Sequence, residues 1–104
     1  MSNFDFDNEP EDQLDVLELV RKYENASNRA VTPFFEEEDY EAIINYYLQQ
    51  SRFDVAFEVT NKSIAQYPYS AALLFKKAQV YFNLKQLVQA LEALDMAEIY
   101  DSSE

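Results

Sequence analysis

An all-α fold of antiparallel helix-turn-helix repeats is what this sequence predicts, on three observations. Glycine is absent from all 104 residues. Apolar side chains recur at three-to-four spacing from Leu14 onward, and the chain matches itself at an offset of 34 residues. Tight β-hairpins need residues that take positive φ, whereas turns between packed helices can be built from polar side chains, so a chain without glycine disfavours a β-rich fold.

The same composition narrows the chemistry. Hydrophobic residues make up 48% and aromatics 15%, enough for one modest core, but no stretch approaches the roughly 18 uninterrupted apolar residues of a membrane span. The opening MSNFDFDNEPEDQ has neither the basic nor the apolar segment of a secretion signal, so a soluble, cytoplasmic protein is expected. Without glycine there is no Walker loop or dinucleotide fingerprint. Without cysteine or histidine there is no disulfide, no thiol or imidazole catalyst and no zinc site of the usual ligands. Acidic residues number 20 against 8 basic ones, a net charge of −12, which opposes binding to nucleic acid or anionic lipid. The nearest thing to a catalytic or metal-holding pair is Glu37 with Glu41, one helical turn apart, and nothing in the sequence desolvates them. A non-catalytic chain with no cofactor and no metal is the expectation.

Taken in order, residues 1–11 read as an acidic, disordered tail. Asp5, Asp7 and Glu9 alternate like the start of a calcium loop, but Pro10 stands where that loop needs its turn glycine. Over 12–31 the spacing predicts a helix that packs a stripe of Leu14, Leu17 and Val20, with Tyr23 beyond, against the first repeat. Thr32-Pro33 reads as a cap and first-turn proline. Glu36, Glu37, Glu38 and Asp39 then occupy the opening turns, where the helix dipole favours negative charge. Four helices are expected near 36–50, 53–66, 70–84 and 87–100.

The 34-residue offset places Tyr40, Ile44, Tyr47, Phe53, Ala56, Thr60, Ser63 and Pro68 on Leu74, Ala78, Tyr81, Leu87, Ala90, Leu94, Ala97 and Ser102. Here the chain resembles the tetratricopeptide repeat family, whose units carry W-x2-L-G-x2-Y, then A-x3-F, then P. Tyr40, Ile43, Tyr47, Ala56 and Pro68 take those slots in the first unit, 37–70. Leu74, Ala78, Tyr81, Ala90 and Leu94 match them in character in the second, 71–104. The sequence departs from the pattern at Ile44, in a slot usually small, at Thr60, in a slot usually large and apolar, at Lys77 for Leu and at Ser102 for Pro.

The resemblance implies repeats stacked as an α-solenoid segment with a right-handed superhelical path, and a concave face that holds a partner peptide or helix. That face would carry Glu38, Glu41, Asn45, Leu48 and Gln49 from the first unit and Ala72, Phe75, Gln79, Phe82 and Asn83 from the second. Its charge favours a basic or apolar ligand. Glu41 stands where members that clamp a peptide carboxylate have Lys. The same geometry leaves Leu84, Leu91, Leu94 and Tyr100 toward the C-terminal end with nothing to cover them. This end is therefore expected either to continue a longer architectural array or to self-associate, a symmetric homodimer being the simplest closed form.

Overall fold

The computed structural model describes residues 3–102, with side chains over 15–102. Among these there are five helices and no strand: α1 (Asn3–Asn28), α2 (Glu37–Gln49), α3 (Phe53–Gln66), α4 (Ala71–Asn83) and α5 (Leu87–Ser102). The ends of α2 to α5 fall within a residue or two of the spans read from periodicity. The chain forms two compact units, Met1–Phe34 and Phe35–Glu104.

In the first unit, α1 begins at Asn3 rather than near Asp12. The acidic residues of its opening turns suit a helix N-terminus, but they carry no apolar periodicity that would mark a helix in the sequence. The calcium reading of Asp5, Asp7 and Glu9, and Leu14 of the expected stripe, lie outside the residues whose side chains are described. Leu17 is exposed, while Val20 and Tyr23 are buried and Val16 is half-buried. The reason is geometric. Steps of three all in one direction drift around a helix of 3.6 residues per turn, whereas Val16, Val20, Tyr23 and Ser27, at steps of four, three and four, stay on one face.

In the second unit α2 starts at Glu37, one residue from the span read from periodicity, with Glu36 as an extended N-cap residue; Thr32-Pro33, read as its cap and first-turn proline, is not part of it. Phe35, just before the cap, is buried and meets Tyr40 edge-on at 5.3 Å. This is the hydrophobic staple across a helix N-terminus, and it fixes where the chain enters α2. Tyr40 also meets Tyr67 at 6.3 Å, and the Tyr67 hydroxyl donates to the Phe35 carbonyl oxygen at 2.6 Å. The entry to α2 is thereby tied to the exit of α3.

The core is made by Tyr40, Ile43, Ile44 and Tyr47 of α2, Ala56 and Val59 of α3, and Leu73, Leu74 and Val80 of α4. Full burial of each large apolar side chain contributes roughly 1.5–3 kcal/mol. α4 packs against α2, α3 and α5, and α2 packs against α3. Ala56 on α3 and Ala90, Ala93 and Ala97 on α5 are the buried small residues that let helices approach closely. Thr60, where a larger apolar residue was the family expectation, is fully buried and satisfies its hydroxyl by donating to the Ala56 carbonyl at 2.6 Å.

Three of the four glycine-free connections are closed alike, the α3–α4 turn being the exception. Ala30, Ser51 and Lys85 each take left-handed φ, at 58°, 58° and 65°. Each stands just past a helix end, and the following amide reaches back to close it: Val31 N–H to Ala26 O, Arg52 N–H to Tyr47 O and Gln86 N–H to Tyr81 O, at 2.8 to 2.9 Å. These are Schellman closures made without the residue that usually makes them.

Candidate protein-binding site

Residues expected on one interaction face are sorted by the structure into different places. Glu38 and Glu41 line a small acidic recess with Glu36 and Glu37, about 380 Å³ in volume. Burial holds the Glu41 carboxyl above the usual carboxylate range, Lys76 partly offsets this, and Glu37 and Glu38 push it further up. Next along α2, Asn45 accepts a hydrogen bond from Lys76 Nζ at 2.7 Å. Lys76 had no motif to announce it, since a cation on α4 becomes relevant only once α4 lies beside α2. Leu48 is half-buried and Gln49 exposed.

From α4, Phe75, Gln79 and Phe82 join a second, larger feature. They form one wall of an apolar groove of about 540 Å³ whose other wall is Leu87, Ala90, Leu91 and Leu94 of α5. Two groups of residues, one expected at a peptide-binding face and the other at a self-association surface, thus meet in a single groove. Phe82 is 63% exposed and Leu91 62% exposed, large values for side chains of that size and hydrophobicity. Asn83, in contrast, folds back to donate to the Gln79 carbonyl at 2.9 Å, and Ala72 is half-buried.

The remaining members of the self-association group stand elsewhere. Leu84, half-buried, is the C-cap residue of α4. Tyr100 meets Tyr69 edge-on at 5.6 Å, and both line a polar recess of about 450 Å³ with Glu37, Tyr67, Ser70 and Asp101. At that junction Ser70, the N-cap of α4, accepts from the Leu73 amide at 3.1 Å and donates its hydroxyl proton to the Glu37 carboxylate. Loss of solvent, followed by the charges of Glu36, Glu37 and Asp39, raises the Tyr67 hydroxyl above its ordinary value.

Sequence reading did not single out Val88, Met96 and Ile99, which α5 exposes together with Leu87 and Leu91. The signal was present: apolar residues occur all round α5, and only its Ala90, Ala93 and Ala97 edge is buried. Among the described residues no group of three acidic, histidine or cysteine side chains is placed to hold a metal ion, and no described helix is long and apolar enough to cross a membrane. Comparison with known proteins returns no matching family model, no matching curated protein and no matching solved structure.

Proposed function

We propose that the chain is a non-catalytic protein–protein interaction scaffold of tetratricopeptide type, acting in the cytoplasm and holding a basic or apolar peptide or helix of a partner on the face presented by α2 and α4. The observation that carries this reading is that residues one 34-residue period apart do the same work in the core: Tyr40 and Leu74, Ala56 and Ala90, Val59 and Ala93, and Ser63 and Ala97 are all buried. It accompanies the sequential packing of α2, α3, α4 and α5 and an apolar groove edged by Phe75 and Phe82. Repeats of this kind bury their own faces only by stacking, and the surface they leave is extended and suited to a peptide or helix. Panning a displayed peptide library against the full chain tests it. Enriched peptides should be basic or apolar and should be lost with Phe75→Ala or Phe82→Ala at unchanged helicity; no enrichment, or enrichment of acidic peptides, defeats the reading.

The exposed Val88, Leu91, Met96 and Ile99 on α5 favour a second reading, an architectural or self-assembling segment of a longer array. Light scattering coupled to size exclusion separates the two. A concentration-dependent dimer that Leu94→Asp dissociates supports assembly, and a monomer at high micromolar concentration removes it.

A further inference from the structure

One period earlier in the chain, the place left open by the α4–α5 groove is filled. Phe57 on α3, the repeat counterpart of Leu91, packs its ring against Tyr81 of α4 at 5.5 Å. Asn45 on α2, the counterpart of Gln79, receives Lys76 of α4 at 2.7 Å. α4 is thus the helix that occupies the cleft between α2 and α3. It is amphipathic, and it carries Lys76 and Lys77 with no acidic residue.

Charge decides what fits the next cleft. Leu87, Leu91, Leu94 and Glu98 follow one another on α5 at steps of four, three and four, so Glu98 prolongs the stripe that walls the groove, and Asp95 stands one turn beyond Leu91. α5 bears Glu92, Asp95, Glu98 and Asp101 and no base. The lysines of α4 are turned away, Lys76 to Asn45 and Lys77 over the Tyr81 ring at 5.8 Å; Lys85 sits at the turn end. A second copy of the chain would bring these acids against their own counterparts, at a net charge of −12 on each molecule, and like charges across an interface select against a partner. We propose that the α4–α5 groove docks an amphipathic, basic helix of a partner protein, seated as α4 is seated between α2 and α3. This deepens the scaffold reading above and rests on it.

Two helices of this molecule supply the probes. A stapled peptide of α4 (Ala71–Asn83) is basic, and one of α2 (Glu37–Gln49) is equally amphipathic but acidic. Each is titrated by fluorescence anisotropy into the full chain. The α4 peptide should bind saturably and at least about tenfold more tightly than the α2 peptide or a scrambled α4 peptide of the same charge, and Leu91→Asp should weaken it by a similar factor or more. Reversing the flank with Asp95→Lys and Glu98→Lys should turn the preference toward the α2 peptide; it also carries the test if Leu91→Asp lowers helicity. Equal binding of both peptides, no binding of the α4 peptide, or indifference to both sets of variants overturns the proposal. So does a dimer that Leu91→Asp dissociates, since the occupant is then a second copy. If library panning yields ligands while the α4 peptide fails, only this inference falls; if panning yields none, the scaffold reading falls with it.

Discussion

Ser51 and Lys85 stand 34 residues apart and hold the same left-handed backbone, φ 58° and 65°, one at the turn between α2 and α3 and the other at the turn between α4 and α5. A side chain with a Cβ is disfavoured there by roughly 1–2 kcal/mol relative to glycine. Ser51→Gly and Lys85→Gly should each stabilise the fold by about 0.5–1 kcal/mol after the greater flexibility of glycine in the unfolded chain is counted. In a unit of this size that is a rise in Tm of roughly 2–8 °C, and the double variant should show close to the sum. Thermal melts followed by circular dichroism check it, and a fall in Tm for either variant would contradict the turn geometry.

Ser70 links α4 to α2 by capping the first while donating to Glu37 at the start of the second. Ser70→Ala should cost about 1 kcal/mol, within the usual range for a lost N-cap. Glu37→Gln made on top of Ser70→Ala should cost less than Glu37→Gln alone, because the two side chains share one interaction. Urea titrations of the four proteins in the cycle give the coupling; strict additivity would mean the link contributes nothing.

Glu41 is the residue through which pH should act. Its folded pKa lies above the unfolded value, chiefly through burial, so the folded state holds its proton more tightly. Its contribution favours folding at pH below the unfolded value, and is lost as pH rises through the window up to the folded pKa. Glu41→Gln should therefore raise stability at pH 7 and flatten that part of the profile, with little effect in acid. Tm measured from pH 3.5 to 8 decides it, and an unchanged difference between the two proteins across the range would exclude Glu41 as the cause.

Ala56 and Leu91 should respond to a change of side-chain size in very different degree. Ala56 is fully buried, so Ala56→Leu forces α3 from its neighbours and should destabilise by about 1–3 kcal/mol or more. Leu91 is exposed, so Leu91→Ala should change stability by roughly 0.5 kcal/mol or less, as expected of a side chain with little to pack against. Denaturant midpoints compare them directly; a large loss for Leu91→Ala would show that this side chain is already part of a core.

Helical character and the spans of α2 to α5 were legible in the sequence because they depend on local periods: three-to-four spacing of apolar residues, the 34-residue recurrence, and turns that must manage without glycine. The capping residue of α2, Glu36 and not Thr32, was not, because it depends on where Phe35 finds Tyr40 and Tyr67, a contact made by residues on three different segments. The same holds for the candidate site. Phe75, Phe82, Leu91 and Leu94 could each be picked out as apolar and surplus to their own helices, but their meeting in one groove follows from α5 lying against α4 along its alanine edge. Lys76 reached Asn45, and Tyr100 reached Tyr69 rather than Leu94, for the same reason. Periodicity specifies which face of a helix must be covered. Which neighbour covers it, and which part of the face is left open, is decided only when the helices pack.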